Sequence, residues 1–424
     1  MKGSILALFL RALTLPLGLV SIWIVSGFLG KDLYGDFSLL TSWLPIAAVF
    51  LVGAPETIAG FINRHPGSAA INAKWTMAAW LLASRTSFVG LVIVLLILGV
   101  SAALGYLNTT IAMGSGLAFL VYFLTQPLSV LSTEMFRAGN TSEIAAWGFA
   151  LAVVNVILLL IGVTLSQGYS DALKIFIAIA AVTIAVLFVR LAQALIYCQM
   201  GLRHLYTTLA RRWRPGGNRG ERTLVAHGMP FALLALISFG IFNLDRTILA
   251  IFMPKSVLAE YDVLSRVAMA LFSVLSVLSF SMWGTSIGEN VKSAWRKTLH
   301  LVSLYALAWS TFVLGMFLYA DDLLHLLWPS SSAQTSSLTV ALIAALFFMR
   351  NVTDVFSYTL YSLRKQAVVL RSACIHGPVH VAFAFSMCFF AGVDGMLAGQ
   401  IIAMGVTSTF ILYRAVRHEI RLGK

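Results

Sequence analysis

The segment from His227 to Asp262 reads HGMPFALLALISFGIFNLDRTILAIFMPKSVLAEYD, and it decides how the whole chain is organised. The run is apolar enough to cross a membrane, yet it carries an acid and a base, Asp245 and Arg246, well inside the apolar stretch. Charges at such a depth are costly to insert, so they usually face the interior of a helix bundle or a water-filled cavity. The segment therefore predicts a helical membrane protein with a polar interior.

An earlier segment repeats the pattern of this one. The residues from Phe28 to Phe37, FLGKDLYGDF, align without gaps on those from Phe252 to Tyr261, FMPKSVLAEY. Each segment contains the apolar end of a helix, a glycine or proline, a lysine, a short spacer, a small residue, an acid and an aromatic residue. A new apolar run follows in both cases. This repetition predicts two related halves, the second of which opens at the quoted segment.

The composition is typical of a membrane protein. Of the 424 residues, 59% are hydrophobic and only 11% are charged, with a mean hydropathy of +0.91, whereas soluble domains carry about 25% charged residues. Apolar runs of about 20 residues recur, which favours membrane-spanning helices over the shorter alternating strands of a barrel. The first run, from Ile5 to Leu29, is too long for a signal peptide and is expected to be a retained helix.

The apolar runs define twelve predicted spans, and an even number places both termini on one side. Their approximate bounds are 5–29, 36–62, 78–104, 111–135, 144–166, 174–199, 225–252, 258–284, 298–319, 337–361, 372–391 and 396–416. The predicted fold class is an all-α polytopic membrane protein, with about twelve transmembrane helices in two pseudo-symmetric six-helix bundles. The bundles are predicted at 1–200 and 225–424. The basic, polar stretch 201–224, which contains RRWRPGGNRGER, is predicted to link them.

Basic residues are unequally distributed between the two sides of this topology. Twenty of the 29 lie at the termini or in the loops on their side, and three, Lys31, Lys174 and Lys255, lie in the opposite loops. Because cytoplasmic loops carry the excess of lysine and arginine, both termini are predicted to be cytoplasmic, in a multi-pass protein of the cytoplasmic (inner) membrane. This bias explains the net charge of +13 without a nucleic-acid partner. A basic linker could also hold anionic lipid headgroups.

Several chemical functions have no support in the sequence. The three cysteines, Cys198, Cys374 and Cys388, lie in or beside apolar runs without metal-ligand spacing, so neither a disulfide framework nor a metal site is expected. The sequence contains no nucleotide-binding loop, which disfavours an ATP-driven pump, and no zinc motif or nucleophile elbow. We therefore expect a protein that is not an enzyme, with no catalytic residue and no cofactor.

Six arginines lie within predicted spans: Arg11, Arg85, Arg190, Arg246, Arg266 and Arg350. Arg190 and Arg350 lie closest to the middle of their spans, whereas Arg11 and Arg85 lie near helix ends, from which their side chains can reach the interface. An interior lined by arginine favours an anionic passenger, because a guanidinium donates two parallel hydrogen bonds to a phosphate or carboxylate. Helix packing and pairing with acids is the structural alternative.

Three acids in or near the spans are candidates for coupling or charge pairing: Asp245, Asp354 and Glu56. Asp354 follows Arg350 by one helical turn, so the two side chains could neutralise each other, and Asp245 could pair with a neighbouring helix. The two aspartates could instead take up protons, which would couple transport to a proton or sodium gradient. Glu56 follows Gly53-Ala54-Pro55 near a helix end, and we expect a structural or hinge role for it.

These residues resemble those of a known family. The motifs are Phe28–Leu40 (FLGKDLYGDFSLL), which resembles an LGxxxYGxFSL pattern, Gly53 with Pro55-Glu56, Gly228-Met229-Pro230, Asp245-Arg246, Glu260-Tyr261, and Asp321–Pro329 (DDLLHLLWP). With twelve spans in two halves, the chain resembles the multidrug/oligosaccharidyl-lipid/polysaccharide (MOP) exporter superfamily. Within it the chain is most similar to the polysaccharide branch of Wzx-type flippases. Arg11 occupies the first helix, where multidrug exporters typically carry an acid.

The resemblance implies a function. A polyprenyl-diphosphate-linked oligosaccharide would move from the cytoplasmic to the outer leaflet by alternating access, with its sugar and diphosphate in a central cavity and its lipid tail in the bilayer. The six arginines would contact the diphosphate or acidic sugars. The product would serve O-antigen, capsule or exopolysaccharide biosynthesis, with a polysaccharide polymerase as a partner.

Two other classes of function stay open. One is an ion-coupled exporter of small amphipathic molecules, a multidrug exporter of the same superfamily, that uses Asp245 and Asp354 as ion sites. The other is an integral glycan polymerase or glycosyltransferase. Such an enzyme would need a sizeable external loop, and the predicted external loops are short.

Overall fold

The structure is a computed structural model that describes residues 2–55, 57–58, 69–104, 109–131, 141–166, 168–197, 219–285, 291–329, 336–363 and 365–422. Within these ranges the chain is helical and contains no β-strand, so the predicted all-α class is confirmed. Ten of the described runs are long and apolar enough to cross a membrane. One of them, Ala367–Arg421, contains two of the predicted spans. Each of the twelve predicted spans overlaps a helix.

The helices follow each other with short connections. In the first half of the sequence they are α1 (Lys2–Leu29), α2 (Lys31–Trp43), a 3₁₀ helix (Leu44–Leu51), α3 (Ala69–Ala103), α4 (Thr109–Leu131), α5 (Thr141–Leu165) and α6 (Asp171–Tyr197). In the second half they are α7 (Arg219–Phe252), α8 (Lys255–Thr285), α9 (Val291–Leu327), α10 (Ser337–Ser362), α11 (Gln366–Met404), a π-helical turn (Gly405–Thr409) and α12 (Phe410–Leu422).

The second predicted span is not a single α-helix. α2 ends at Trp43, and the chain continues as the 3₁₀ helix, with Pro45 in its first turn. Proline has no backbone N–H and therefore removes one hydrogen bond from the α-helical ladder at this point. The 3₁₀ helix ends where Val52 and Gly53 adopt left-handed φ angles of 52° and 61°. One continuous span was predicted here, although Pro45 lies within the apolar run.

The last two predicted spans are the two arms of α11 and its continuation. Backbone angles are non-helical at Ala391 and at Gly392, where φ is 60° and ψ is −139°. A side chain at Gly392 would be strained in this conformation, which glycine adopts without cost. The kink divides α11 into a first arm, Gln366–Phe390, and a returning arm, Val393–Met404, that packs back onto the first: a Cβ built at Gly399 would lie 2.7 Å from the carbonyl oxygen of Phe383.

The chain forms two compact units, which divide at different residues from the predicted bundles. One unit contains Met1–Ser42 and Ile237–Lys424, and the other contains Trp43–Leu236. α1 joins the first unit because it packs along α8. The helical start of α7 at Arg219 also lies inside the predicted linker, so 219–224 are helical. The two six-helix bundles at 1–200 and 225–424 stay a prediction.

Each unit has its own apolar core. In the unit 1–42/237–424 the core contains Leu258, Tyr305, Phe347 and Leu397. In the unit 43–236 a core cluster contains Ile58 and Leu224 among other residues.

Large apolar side chains also cover the outside of the helices. On α3, Phe88, Leu96 and Ile97 are 56%, 63% and 59% exposed. Apolar faces of this extent are unfavourable in water, and they fit a surface in contact with lipid tails.

Candidate functional site

Asp262 on α8 is the centre of a buried network of charges in the unit 1–42/237–424. Its side chain is fully buried and accepts three hydrogen bonds. Arg246 Nε and Arg266 Nε each donate to it at 2.6 Å, to Oδ1 and Oδ2 respectively. Tyr34 Oη donates to Oδ2 at 2.9 Å. One carboxylate therefore holds two guanidinium groups from two helices and a hydroxyl group from the first half of the sequence.

Asp245 on α7 is the second acid of this network. Its carboxylate accepts from the backbone N–H of Arg246 at 2.7 Å and from Arg246 Nη1 at 3.2 Å. The hydroxyl of Tyr261 also donates to it. Arg246 Nη2 also donates to Ser265 Oγ at 3.3 Å, and Arg246 Nη1 donates to the carbonyl of Phe242. A buried charge requires such pairing and hydrogen bonding.

These contacts show that Arg246 and Arg266, which we predicted as substrate contacts, lie in ion pairs. Both guanidinium groups are neutralised by carboxylates within the protein. Asp245 pairs with its neighbour Arg246 on α7, whereas the sequence analysis considered an ion pair with a neighbouring helix. Asp262 and Tyr34 were missing from the predicted site. The spacing in the sequence places Asp262 on the same helix face as Arg266, one turn before it, but does not show that their side chains pair.

Arg350 on α10 has a different environment. It is 3% exposed, and its guanidinium lies over the rings of Phe242 and Phe347, at 4.5 and 4.7 Å from their centroids. Nη2 donates to the carbonyl of Ile241 at 2.9 Å. Its Nε has no hydrogen-bond partner, and the described residues include no acid in an ion pair with it. Arg350 therefore keeps a buried positive charge with unused donor capacity.

The expected neutralisation of Arg350 by Asp354 does not take the form of an ion pair. Asp354 lies one turn further along α10, and the two charges are close enough to interact electrostatically. The described part of the chain supplies neither a hydrogen bond nor an ion pair to the Asp354 carboxylate. The site thus contains a buried arginine and an acid that are near each other but not joined.

The remaining predicted site residues occupy separate places. Arg11 is partly buried on α1, and among the described residues no acid forms an ion pair with it. In the unit 43–236, Arg85 is partly buried on α3, and Arg190 Nη1 on α6 donates to Gln193 Oε1 at 3.1 Å. Arg190 also lies near Tyr122. Glu56 lies outside the described residues.

The two repeated segments meet in the structure through reciprocal ion pairs, which we name the repeat ion pairs. Lys31 Nζ contacts the carboxylate of Glu260, and Lys255 Nζ lies 2.8 Å from Asp36 Oδ2. In the repeat alignment Lys31 corresponds to Lys255, and Asp36 corresponds to Glu260. Each lysine therefore binds the acid of the other copy. This exchange is the arrangement expected of two segments related by a two-fold axis.

The backbone supports this contact. A Cβ built at Gly35 would lie 2.5 Å from the carbonyl oxygen of Lys255, closer than any side chain permits. Lys31 also lies over the ring of Trp328, 5.9 Å from its centroid, and Trp328 packs edge-on against Tyr34. Glycine at position 35 thus allows the two repeated segments to come close enough for the ion pairs. Trp328, the aromatic residue of the DDLLHLLWP motif directly after α9, covers Lys31 and Tyr34 of the first repeated segment.

The fold and the buried charges define a polytopic helical membrane protein. In the described part of the chain, no group of three His, Cys, Asp or Glu side chains could hold a metal ion. No protein-family model matches the chain, and no curated protein matches it by sequence. Similarity to known proteins is therefore visible only in the fold.

Solved structures share this fold over nearly the whole chain. The inward-facing structure of a multidrug resistance MATE family transporter of the MOP superfamily has a TM-score of 0.66 and 15% identity, covering 99% of this chain and 98% of its own. The lipid II flippase MurJ, in an inward closed conformation, has a TM-score of 0.68 and 12% identity, covering 97% and 87%. A mutant of the Vibrio cholerae MATE transporter VcmN has a TM-score of 0.59 and 17% identity, covering 99% and 98%. The chain thus shares the fold of these transporter and flippase structures.

Proposed function

We propose that this protein is a flippase for a polyprenyl-diphosphate-linked oligosaccharide, acting in the cytoplasmic membrane in surface polysaccharide biosynthesis. The single observation that carries the proposal is Arg350. It is a buried guanidinium with an unpaired Nε and no ion pair among the described residues. An anionic group that reached Arg350 would supply the missing counter-charge and the missing hydrogen bond.

The chemistry of guanidinium favours a diphosphate as that group. Its planar fork matches two phosphate oxygens at once, which an ammonium group cannot do. Arg11 and Arg190 have no ion pair among the described residues either, and we propose each of them, in its own unit, as a further contact of the diphosphate during transport. We assign Arg246 and Arg266 to the buried network instead, because carboxylates already occupy them.

The comparison with the lipid II flippase supports a lipid-linked cargo. That protein has the same fold and, by its name, moves a lipid. The LGxxxYGxFSL-like motif and Arg11 in the first helix favour the polysaccharide branch, with O-antigen, capsule or exopolysaccharide units as cargo. A polysaccharide polymerase would then use the exported units. On the topology predicted from the loop charges, both termini are cytoplasmic.

The repeat ion pairs provide a contact for alternating access. On the predicted topology Lys31 and Lys255 lie at the external end, so these pairs would hold that end closed while the cargo enters from the cytoplasm. Both pairs are partly exposed, so water can replace them at modest cost. Opening to the outside would then break both pairs together.

Reversing one charge of a repeat ion pair tests this role. Lys31→Glu would place a carboxylate beside Glu260, and we expect transport to fall by about tenfold, since turning attraction into repulsion at a partly buried pair costs on the order of 1–2 kcal/mol. The double variant Lys31→Glu/Glu260→Lys should recover most of the rate. Lys174→Glu is the matched control, because the partner of Lys174 among the described residues is Asp171 on its own helix. Equal losses in the single and double variants would contradict the role.

Asp354 favours a second candidate function. It is an acid in a membrane helix with no ion pair among the described residues, as the ion-coupled exporter of small molecules requires. In that reading Asp354 takes up the coupling ion, a proton or sodium, and the arginines are structural. Asp245 is less suited to this role, because Arg246 and Tyr261 already occupy its carboxylate.

Purified protein in lipid vesicles distinguishes the two functions. The probe is undecaprenyl-diphospho-N-acetylglucosamine placed in the inner leaflet, and the measurement is the appearance of its sugar at the outer surface, detected with a lectin. If the protein is a flippase, the sugar should appear at the outer surface faster in vesicles that contain the protein than in vesicles without it. Efflux of an amphipathic cationic dye is measured in parallel. Dye efflux without movement of the probe would reject the flippase in favour of the exporter.

A further inference from the structure

Two histidines on α11 form a buried pair that neither candidate function uses. His376 and His380 lie one turn apart, with ring centroids 5.0 Å apart and planes at 71°. They are 3% and 1% exposed, although the helix lies within an apolar run. His376 Nδ1 contacts Thr407 Oγ1 at 2.9 Å, in the π-helical turn. The hydroxyl of Thr407 in turn donates to the carbonyl of Ala403.

The pair has unused hydrogen-bonding capacity. Nε2 of His376 and both ring nitrogens of His380 have no partner at hydrogen-bond geometry among the described residues. Gln400 on the returning arm is also buried, and its Oε1 has no partner there. Since Gly399 packs onto the backbone of Phe383, Gln400 lies close to the level of His380. Buried polar atoms without protein partners are costly, so this group offers hydrogen-bonding positions to water or to a bound species.

The charged neighbour of the pair is Arg350. Its guanidinium acts electrostatically on both imidazole rings, and the Ile241 carbonyl that accepts from Arg350 lies beside His380. Asp354 and Asp245 act on Arg350 itself from α10 and α7. The returning arm of α11 carries Asp394 as its charged residue, and its carboxylate accepts from Thr339. The pair therefore lies within electrostatic range of a cation, Arg350.

The chemistry of the pair favours a proton over a metal ion. No third His, Cys, Asp or Glu joins the two rings among the described residues, so a transition metal would lack ligands. Sodium requires a shell of oxygen ligands, whereas the open positions here are mostly ring nitrogens. Imidazole is the side chain that gains and loses a proton near neutral pH.

We infer that His376 and His380 form a proton-binding site that takes up a proton when an anionic group binds to Arg350. This inference rests on the proposed function, because it names the ion that accompanies the diphosphate. It assigns the coupling role to two residues outside the acids considered above.

The link between proton and anion follows from the positions of the charges. A protonated imidazole beside Arg350 places two like charges together in a site of low dielectric, which is unfavourable. An anion at Arg350 removes that repulsion. A protonated His380 can also donate to the carbonyl of Ile241, which frees Arg350 Nη2 for the anion. By linkage, the anion favours the proton and the proton favours the anion to the same extent.

Calorimetric titration in several buffers measures this link directly. The full-length protein in lipid nanodiscs is titrated near neutral pH with undecaprenyl-diphospho-N-acetylglucosamine, whose diphosphate diester has no group that titrates in this range. The slope of the binding enthalpy against the ionisation enthalpy of the buffer gives the number of protons taken up. We expect uptake that approaches about one proton per bound molecule in the wild type. His325→Gln, at an exposed position on α9, is the control and should show the same uptake.

The double variant His376→Gln/His380→Gln decides the outcome. Uptake that falls to near zero while the variant still binds the probe would support the proton site, because a merely structural role would leave the proton count unchanged. Binding without uptake in the wild type, or equal uptake in the double variant, would overturn the inference and leave the flippase standing. A wild type that does not bind the probe would overturn the proposed function and this inference with it.

Discussion

Replacement of Asp262 by alanine is expected to lower the free energy of unfolding by about 3–5 kcal/mol, because it leaves the buried Arg246 and the partly exposed Arg266 without the carboxylate that they share. Arg246 and Arg266 both donate to this carboxylate at 2.6 Å, and the carboxylate is fully buried. The variant would retain the buried guanidinium of Arg246 and the partly exposed guanidinium of Arg266, and among the described residues Asp245 would be the one acid still paired with Arg246. The measurement is unfolding of the purified protein in detergent, followed by temperature or denaturant.

Asp322→Ala is the matched control for this prediction. Asp322 lies at an exposed position on α9, and its replacement should change stability by no more than about 0.5 kcal/mol. The double variant Asp262→Asn/Arg266→Gln should recover part of the loss, because it removes an acid and one of its cations together. An Asp262→Ala protein as stable as the control would show that the network does not stabilise the fold.

Replacement of Arg350 by glutamine is expected to reduce the rate of probe translocation by about tenfold to a hundredfold, because a charge-assisted hydrogen bond contributes about 1.5–3 kcal/mol. Arg350→Lys should fall between this variant and the wild type, since it keeps the charge but loses the planar fork. The vesicle assay with the lectin gives the rates. Charge reversal at Arg350 should abolish transport.

The stability of the Arg350 variants separates transport from folding. Arg350→Gln breaks no ion pair among the described residues, so its fold should survive. Arg371→Gln, at an exposed position on α11, is the control and should transport normally. Wild-type rates in Arg350→Gln would remove the basis for an anionic cargo. The two variants should therefore behave differently: Asp262→Ala should lose stability, and Arg350→Gln should lose transport.

The helical class and the spans could be predicted from the sequence because they depend on composition and run length. Apolar runs of membrane length are visible without any knowledge of packing. The end of α2 at Trp43 was missed, since hydropathy does not report how Pro45 changes the hydrogen-bond ladder. The division into compact units was not predicted either, because it depends on which helices touch.

The partners of the buried charges could not be predicted, since pairing depends on helices distant in sequence. Arg246 and Arg350 look alike in the sequence as arginines within apolar runs, yet one is neutralised by acids and the other is not. Local spacing suggested that Asp354 would neutralise Arg350, and the structure shows that spacing of one turn does not ensure an ion pair. The same spacing at Asp262 and Arg266 does produce one.

The contact between the repeated segments could be predicted only in part. Their alignment identified Lys31 and Lys255 as equivalent, and Asp36 and Glu260 likewise, from sequence alone. That each lysine binds the acid of the other copy became visible only in three dimensions. The histidine pair on α11 was not predicted from the sequence. Its signal was the spacing of His376 and His380 by four residues within an apolar run, where histidine is uncommon.

The leaflet distribution of polyprenyl-diphosphate oligosaccharide, measured after depletion of this protein in its native cell, tests the central claim most directly. The flippase function predicts that the lipid-linked oligosaccharide accumulates in the cytoplasmic leaflet. Wild-type protein should restore the distribution, and Arg350→Glu should not. An unchanged distribution in a cell that has no second flippase would contradict the claim. That result would favour the ion-coupled exporter of small molecules, in which Asp354 takes up the coupling ion.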